Sequence, residues 1–150
     1  MEKHISNTRE IVNLLSAHES VKSVSYPELS NHPDHGLAKK ILPKGSGAVF
    51  TFEIKGGREA GIAFVNALNL FSHLANVGDA KSLVIHPAST THFRMDKAAL
   101  AAAGIGEGTI RLSVGLEDPK DLIADLKGGL RAAEKVAAKV AESDAKGAVK

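Results

Sequence analysis

Cysteine is absent from the 150 residues. Its absence excludes disulfides, thiolate catalysis and cysteine-ligated zinc, and fits a reducing cytoplasm. Long apolar runs are missing too: no stretch approaches the length of a bilayer span, and the opening MEKHISNTRE lacks the apolar core of a secretory signal. A soluble, cytoplasmic protein without membrane contact is expected. There is little excess of either charge, since 19 Lys+Arg stand against 17 Asp+Glu for a formal net charge of +2. Such balance, with the basic residues scattered, points to no nucleic acid or other polyanion as partner. Neither G-x-x-x-x-G-K-[ST] nor G-x-G-x-x-G follows Lys55-Gly56-Gly57, so these glycines read as a turn and not as a nucleotide loop. His32 and His35 are ligand types in one loop, but no third and fourth ligand stands at a recognisable spacing. No metal site is expected.

What is present begins with Thr109 to Asp118, TIRLSVGLED. Ile110, Leu112 and Val114 alternate with Arg111 and Ser113, the period of a strand with one face on an apolar core. Arg111 therefore points away from that core, yet sits in a run too apolar for an ordinary wet surface. A mid-strand guanidinium suits either a structural ion pair or a fixed anion, because its planar fork donates two parallel hydrogen bonds to one carboxylate.

Length allows one domain with a single core. Residues 2–18 carry Ile5, Ile11, Val12 and Leu15 near helical spacing, and Val21 to Tyr26 reads as a short strand ended by Pro27. Asp34 is placed to cap a short helix over Gly36 to Ile41. Ala48 to Ile54 is the clearest strand, with Ala48, Phe50, Phe52 and Ile54 on one side. A helix over Arg58 to Leu70, a short strand within Phe71 to Asp79, and another over Ser82 to Ile85 follow. The hydroxyl-rich ASTTH loop reads first as turn formers and caps. An alanine-rich helix over 96–103 starts at Asp96 and stops at Gly104, and Asp118-Pro119 opens a long helix whose buried stripe is Leu122, Ile123, Leu126 and Leu130. The last ten residues, 141–150, are expected to fray. The fold class is α/β (α+β): a small, mostly antiparallel sheet with helices on one face, its other face needing cover.

KSLVIHPASTTH (Lys81 to His92), TIRLSVGLEDPKDLIADL (Thr109 to Leu126), and LPKGSGAVFTFEIKGG with LFSHLANVGDAKS together resemble the C-terminal domain of the Cys/Met-metabolism family of pyridoxal-phosphate enzymes. The likeness runs from the first helix to about Val136, and ANVGDAKSLVIHPASTTH is most similar to the branch that acts on O-acetylhomoserine. It implies residues 1–140 as the small, substrate-binding domain of a fold-type I transferase. Arg111 then corresponds to the arginine that binds the substrate α-carboxylate, Ser82 to a serine near the substrate, and Asn76 to a residue of a segment approaching the active site. Lys81 stands where cystathionine-forming and cystathionine-cleaving members usually carry glutamate. The resemblance implies that this change suits a small nucleophile such as sulfide or methanethiol over a second amino acid.

The implied reaction is γ-replacement of acetate on O-acetylhomoserine with pyridoxal phosphate as electron sink, giving homocysteine or methionine. No lysine matches the family's cofactor-bearing motif, and the domain holding that lysine is expected on a missing N-terminal portion. No catalytic or cofactor-binding residue is therefore assigned within the chain, and alone it is expected to be inactive. Family members are homo-oligomers. A γ-lyase of the same family, or a stand-alone binding or regulatory module, are the alternatives.

Overall fold

A computed structural model describes residues 1–147, the side chains as far as residue 143. Among the described residues, five helices and five strands follow in order: α1 (Glu2–Ser16), β1 (Val21–Ser25), α2 (His35–Ile41), β2 (Val49–Ile54), α3 (Gly57–Asn66), β3 (Ser72–His73), β4 (Leu83–Ile85), α4 (Lys97–Ala102), β5 (Thr109–Ser113) and α5 (Pro119–Gly147). A 3-10 turn, Pro87–Ser89, follows β4. The strands form one sheet in the order β1-β2-β5-β4-β3, in which only the β3–β4 pair is parallel. It is an α/β layer fold.

Alternation in the strands explains the layering. Phe50, Phe52 and Ile54 of β2, Ile110 and Leu112 of β5 and Val84 of β4 project to one side, where they meet Ile11, Val12 and Leu15 of α1, Phe64 and Val65 of α3, and Leu122, Leu126 and Leu130 of α5. Phe52 and Phe64 meet edge to face, 5.5 Å between centroids. Ile123, expected in the α5 stripe, lies at its margin and is half-buried. Helix α5 continues through Gly147, since Ala, Lys and Glu hold helix geometry well. Positions 148–150 of the expected tail lie outside the described residues.

Polar side chains tie the layers at defined points. Asp96 caps α4 by accepting from Ala99 N–H, while Asp34 begins α2 without a side-chain cap bond. Asp125 of α5 accepts three backbone N–H groups of the α3–β3 turn, from Asn69 at 2.9 Å, Leu70 at 2.9 Å and Phe71 at 3.2 Å. One carboxylate thus satisfies donors that no helix or ladder would reach.

His86, at the end of β4, is fully buried. Its Nε2 lies 2.7 Å from Glu107 O and its Nδ1 2.8 Å from Ser89 Oγ. A carbonyl only accepts, so Nε2 carries the proton and Nδ1 takes the serine hydroxyl. Burial holds the ring's pKa below its ordinary 6.5, and the nearby charges of Arg58 and His73 act the same way against the opposing Glu107 bond.

Two outcomes follow from these contacts. Asp125→Ala should cost about 1–3 kcal/mol in urea unfolding, for it strands three N–H groups at once, whereas Asp125→Asn should keep part of that loss back. For His86 the unfolded ring binds a proton more readily than the folded one, so stability should fall as pH drops through about 6.5 and onward to the lower folded value. His86→Gln should flatten that part of the profile; an unchanged slope between pH 8 and pH 5 would contradict the buried neutral ring.

Candidate functional site

The sheet's second face carries the polar alternates. Arg111 on β5 lies between Thr51 of β2 and Ile85 of β4, and Ser113 between Val49 and Leu83. Arg111 is half-buried, and the ion pairs among the described residues lie elsewhere, at Arg9–Glu28, Lys22–Glu53 and Lys97–Glu107. Its nearest partner is a backbone carbonyl: Nη2 donates to Asn76 O at 3.4 Å. That contact is long, and it leaves most of the guanidinium's donors uncommitted.

Asn76 reaches Arg111 because residues 74–81, between β3 and β4, fold back over this face. Val77 N–H donates to Asn76 Oδ1 at 2.9 Å, and Gly78, at φ +77°, donates its N–H to Ser113 Oγ at 3.1 Å. Only glycine takes that left-handed backbone without strain. Further along, Leu116 N–H donates to Ala80 O at 2.8 Å, and Lys81 N–H to Asp79 Oδ1 at 3.0 Å. A Cβ on Gly115 would lie 2.3 Å from Ala80 O, so the β5–α5 turn admits the loop only because that position has no side chain.

Arg111 and Asn76 are thus brought together, and Ser82 is not. Ser82 is fully buried at the start of β4. Its N–H and hydroxyl donate to the two oxygens of Glu117, each at 2.7 Å, and its Oγ accepts from Gly115 N–H at 2.8 Å. The ladder opposite Arg111 is Ile85, three residues on from Ser82. The Ser82 hydroxyl is spent on holding the end of β5, so what Ser82 does for the site it does through position. Asn7 of α1 completes this junction by donating to Gly115 O at 3.1 Å and Glu117 O at 2.8 Å. Lys81 is exposed on the rim.

Glu117 and Asn7 were not singled out from sequence, whereas Ser113 stood with Thr51, Glu53 and Arg111 among the polar strand positions facing away from the core. Only Ser113 left a signal, since the alternation that turns Arg111 away from the core turns Ser113 with it. The two loop histidines bond backbone: His32 Nδ1 accepts from Asp34 N–H at 3.1 Å, and His35 Nδ1 lies 3.1 Å from Pro27 O. Thr90 donates to His86 O, a turn-forming role.

Chemically, the arrangement offers a partly shielded cation with a weakly held neutral partner, which a carboxylate can displace by forming two shorter, charge-assisted bonds. It offers no attachment for a carbonyl cofactor. Every described lysine is exposed, whereas a lysine tuned to condense efficiently with a carbonyl at neutral pH is desolvated or set beside another cation. The described residues therefore do not fit covalent anchoring of pyridoxal phosphate.

Comparison with known proteins places the chain among relatives. O-acetyl-L-homoserine sulfhydrylase of Corynebacterium glutamicum is 47% identical over 132 residues, 88% of this chain and 30% of its own length. L-methionine gamma-lyase of Fusobacterium nucleatum subsp. polymorphum is 47% identical over 130 residues, 87% of this chain and 33% of that protein. The chain thus spans about a third of the length of the curated relatives it matches. Cystathionine gamma synthase from Xanthomonas oryzae pv. oryzae, solved with cystathionine, superposes with TM-score 0.80 at 44% identity over 89% of this chain and 34% of that one. A Campylobacter jejuni structure described as an O-acetylhomoserine (thiol)-lyase gives TM-score 0.79 at 43% identity, covering 87% and 31%, and contains pyridoxal phosphate joined to lysine. With residues 1–131 matching the family described as Cys/Met metabolism PLP-dependent enzyme, the chain belongs to that pyridoxal-phosphate-dependent family.

Proposed function

We propose that this chain is the substrate-binding part of an O-acetylhomoserine sulfhydrylase, an aminocarboxypropyltransferase in which acetate on the γ-carbon is replaced by sulfide or methanethiol. Arg111 binds the α-carboxylate of the amino-acid substrate, and Asn76 flanks it. The observation that carries this reading is the state of Arg111: half-buried in mid-strand, without a carboxylate among the described residues, and bonded only to Asn76 O at 3.4 Å. A structural ion pair, the bland alternative for such an arginine, would have filled the fork.

In the reaction, the chain's own residues bind and orient. Two parallel bonds from Arg111 fix both the position and the plane of the carboxylate, and through it the direction of the Cα substituents. Pyridoxal phosphate supplies the electron sink when bound, from groups outside the described residues. Lys81, exposed on the loop rim, puts a cation where an acid would hold a second amino acid's ammonium group, which supports a small nucleophile. A γ-lyase is the second reading. It is supported by the 47% identity to L-methionine gamma-lyase, equal to that of the sulfhydrylase relative.

Five measurements test the proposal. Titrating the chain with L-methionine should shift the Arg111 guanidinium and the Asn76 and Gly78 amide resonances, while L-methioninamide, which lacks the carboxylate, should not; in Arg111→Ala the two amides should no longer respond to L-methionine. With the chain joined to the part of the Corynebacterium glutamicum relative that it does not cover, Arg111→Lys should lower kcat/KM about a hundredfold, since a point charge replaces the fork. Lys81→Glu in the same fusion should raise the use of L-cysteine relative to sulfide. Release of acetate dependent on sulfide favours replacement, and oxoacid formation without a thiol favours the lyase. The unfused chain mixed with pyridoxal phosphate should give no stoichiometric, borohydride-trapped lysine adduct by mass spectrometry.

A further inference from the structure

The loop that brings Asn76 to Arg111 is tied to strand β5 at two points, and they differ in kind. One is the Arg111 Nη2 bond to Asn76 O, at 3.4 Å on a half-buried side chain. The other is the Gly78 N–H bond to Ser113 Oγ, at 3.1 Å, on a hydroxyl whose residue is 2% exposed. Under the carboxylate-binding reading, the first tie is the one a ligand breaks, because its carboxylate competes for the same guanidinium. Once it is broken, nothing on Arg111 holds Asn76 in place.

From this we infer that Ser113 is the positioning residue of the site: its hydroxyl holds the 76–78 backbone over β5 while Arg111 exchanges the Asn76 carbonyl for a ligand carboxylate. Three features make Ser113 suited to this. It shares Arg111's strand and face, two residues on, so the ladder with Val49 and Leu83 fixes the pin and the cation in one rigid frame. Its acceptor is reached by an amide at a left-handed glycine, so the bond selects one backbone path through Gly78. The loop's far end is anchored separately, through Ala80 O with Leu116 N–H and through Ser82 with Glu117. Asp79 is held too, its carbonyl 3.2 Å from His4 Nε2, so loss of the Ser113 bond frees residues 76–78 without unfastening β4. In effect the site keeps one hinge and one latch, and the ligand works the latch.

The inference rests on the carboxylate reading for its meaning, but its test needs no ligand. Amide hydrogen exchange of the 15N-labelled chain should show Gly78 protected. Ser113→Ala should speed that exchange about tenfold or more and move the Arg111 side-chain resonance, with exchange at Leu112 and Val84 and the urea midpoint little changed. Ser113→Thr, which keeps the hydroxyl, should retain the protection; it also covers the case in which the alanine variant folds poorly. Equal Gly78 exchange in the unmutated chain and Ser113→Ala, or protection lost equally in both variants, overturns the assignment. If Gly78 is protected through Ser113 while L-methionine leaves Arg111 unmoved, the positioning role is supported and the carboxylate reading fails.

Discussion

The structure depends on β5 being paired on both sides, antiparallel to β2 and to β4. A strand held on both edges cannot slip by one residue without exchanging its two faces, which would bring Arg111 and Ser113 into the apolar layer and expel Ile110 and Leu112. Burial of Phe50, Phe52, Ile110, Leu112 and Val84 against α1, α3 and α5 therefore does more than stabilise a core. It aims one guanidinium at the opposite face and holds it there.

Around that strand, polar groups serve as fasteners. Glu117 takes both donors of Ser82, Asn7 bonds the turn that carries Glu117, and Ser113 takes the Gly78 amide. The Ser82–Glu117 junction satisfies groups of a fully buried residue and is costly to remove, whereas the Ser113 bond fixes the direction of an exposed loop. Arg111 is the exception in this set. Among the described residues its one hydrogen bond is long and exposed, and a strong, versatile donor in that condition is suited to receiving something from outside.

Membership of the Cys/Met metabolism family sets a context of pyridoxal-phosphate chemistry. The role proposed within it is narrower, recognition of an amino acid's acid end. Relatives with sulfhydrylase, lyase and synthase names share this architecture at nearly equal identity. Under the carboxylate-binding proposal such breadth is expected, because amino-acid substrates share the same acid end. Residues such as Lys81, on the rim, are where divergence can enter.

The strands β2 and β5, the helices α1 and α5, the Asp96 cap and the outward turn of Arg111 were legible from sequence, because each follows from local periodicity or capping chemistry that neighbouring residues enforce. The resemblance to the family was legible too, from three separated motifs. The resemblance also put Asn76 and Arg111 in one site. The bond between them, Ser82 as Glu117's partner and Ser113 as the loop's pin were not legible, since each joins residues more than thirty positions apart whose spacing carries no period. Local alternation determined which way the guanidinium points; only the folding of the 74–81 loop across the sheet decided what stands in front of it, because chain closure over that distance is settled by the packing of the whole layer and not by any stretch within it.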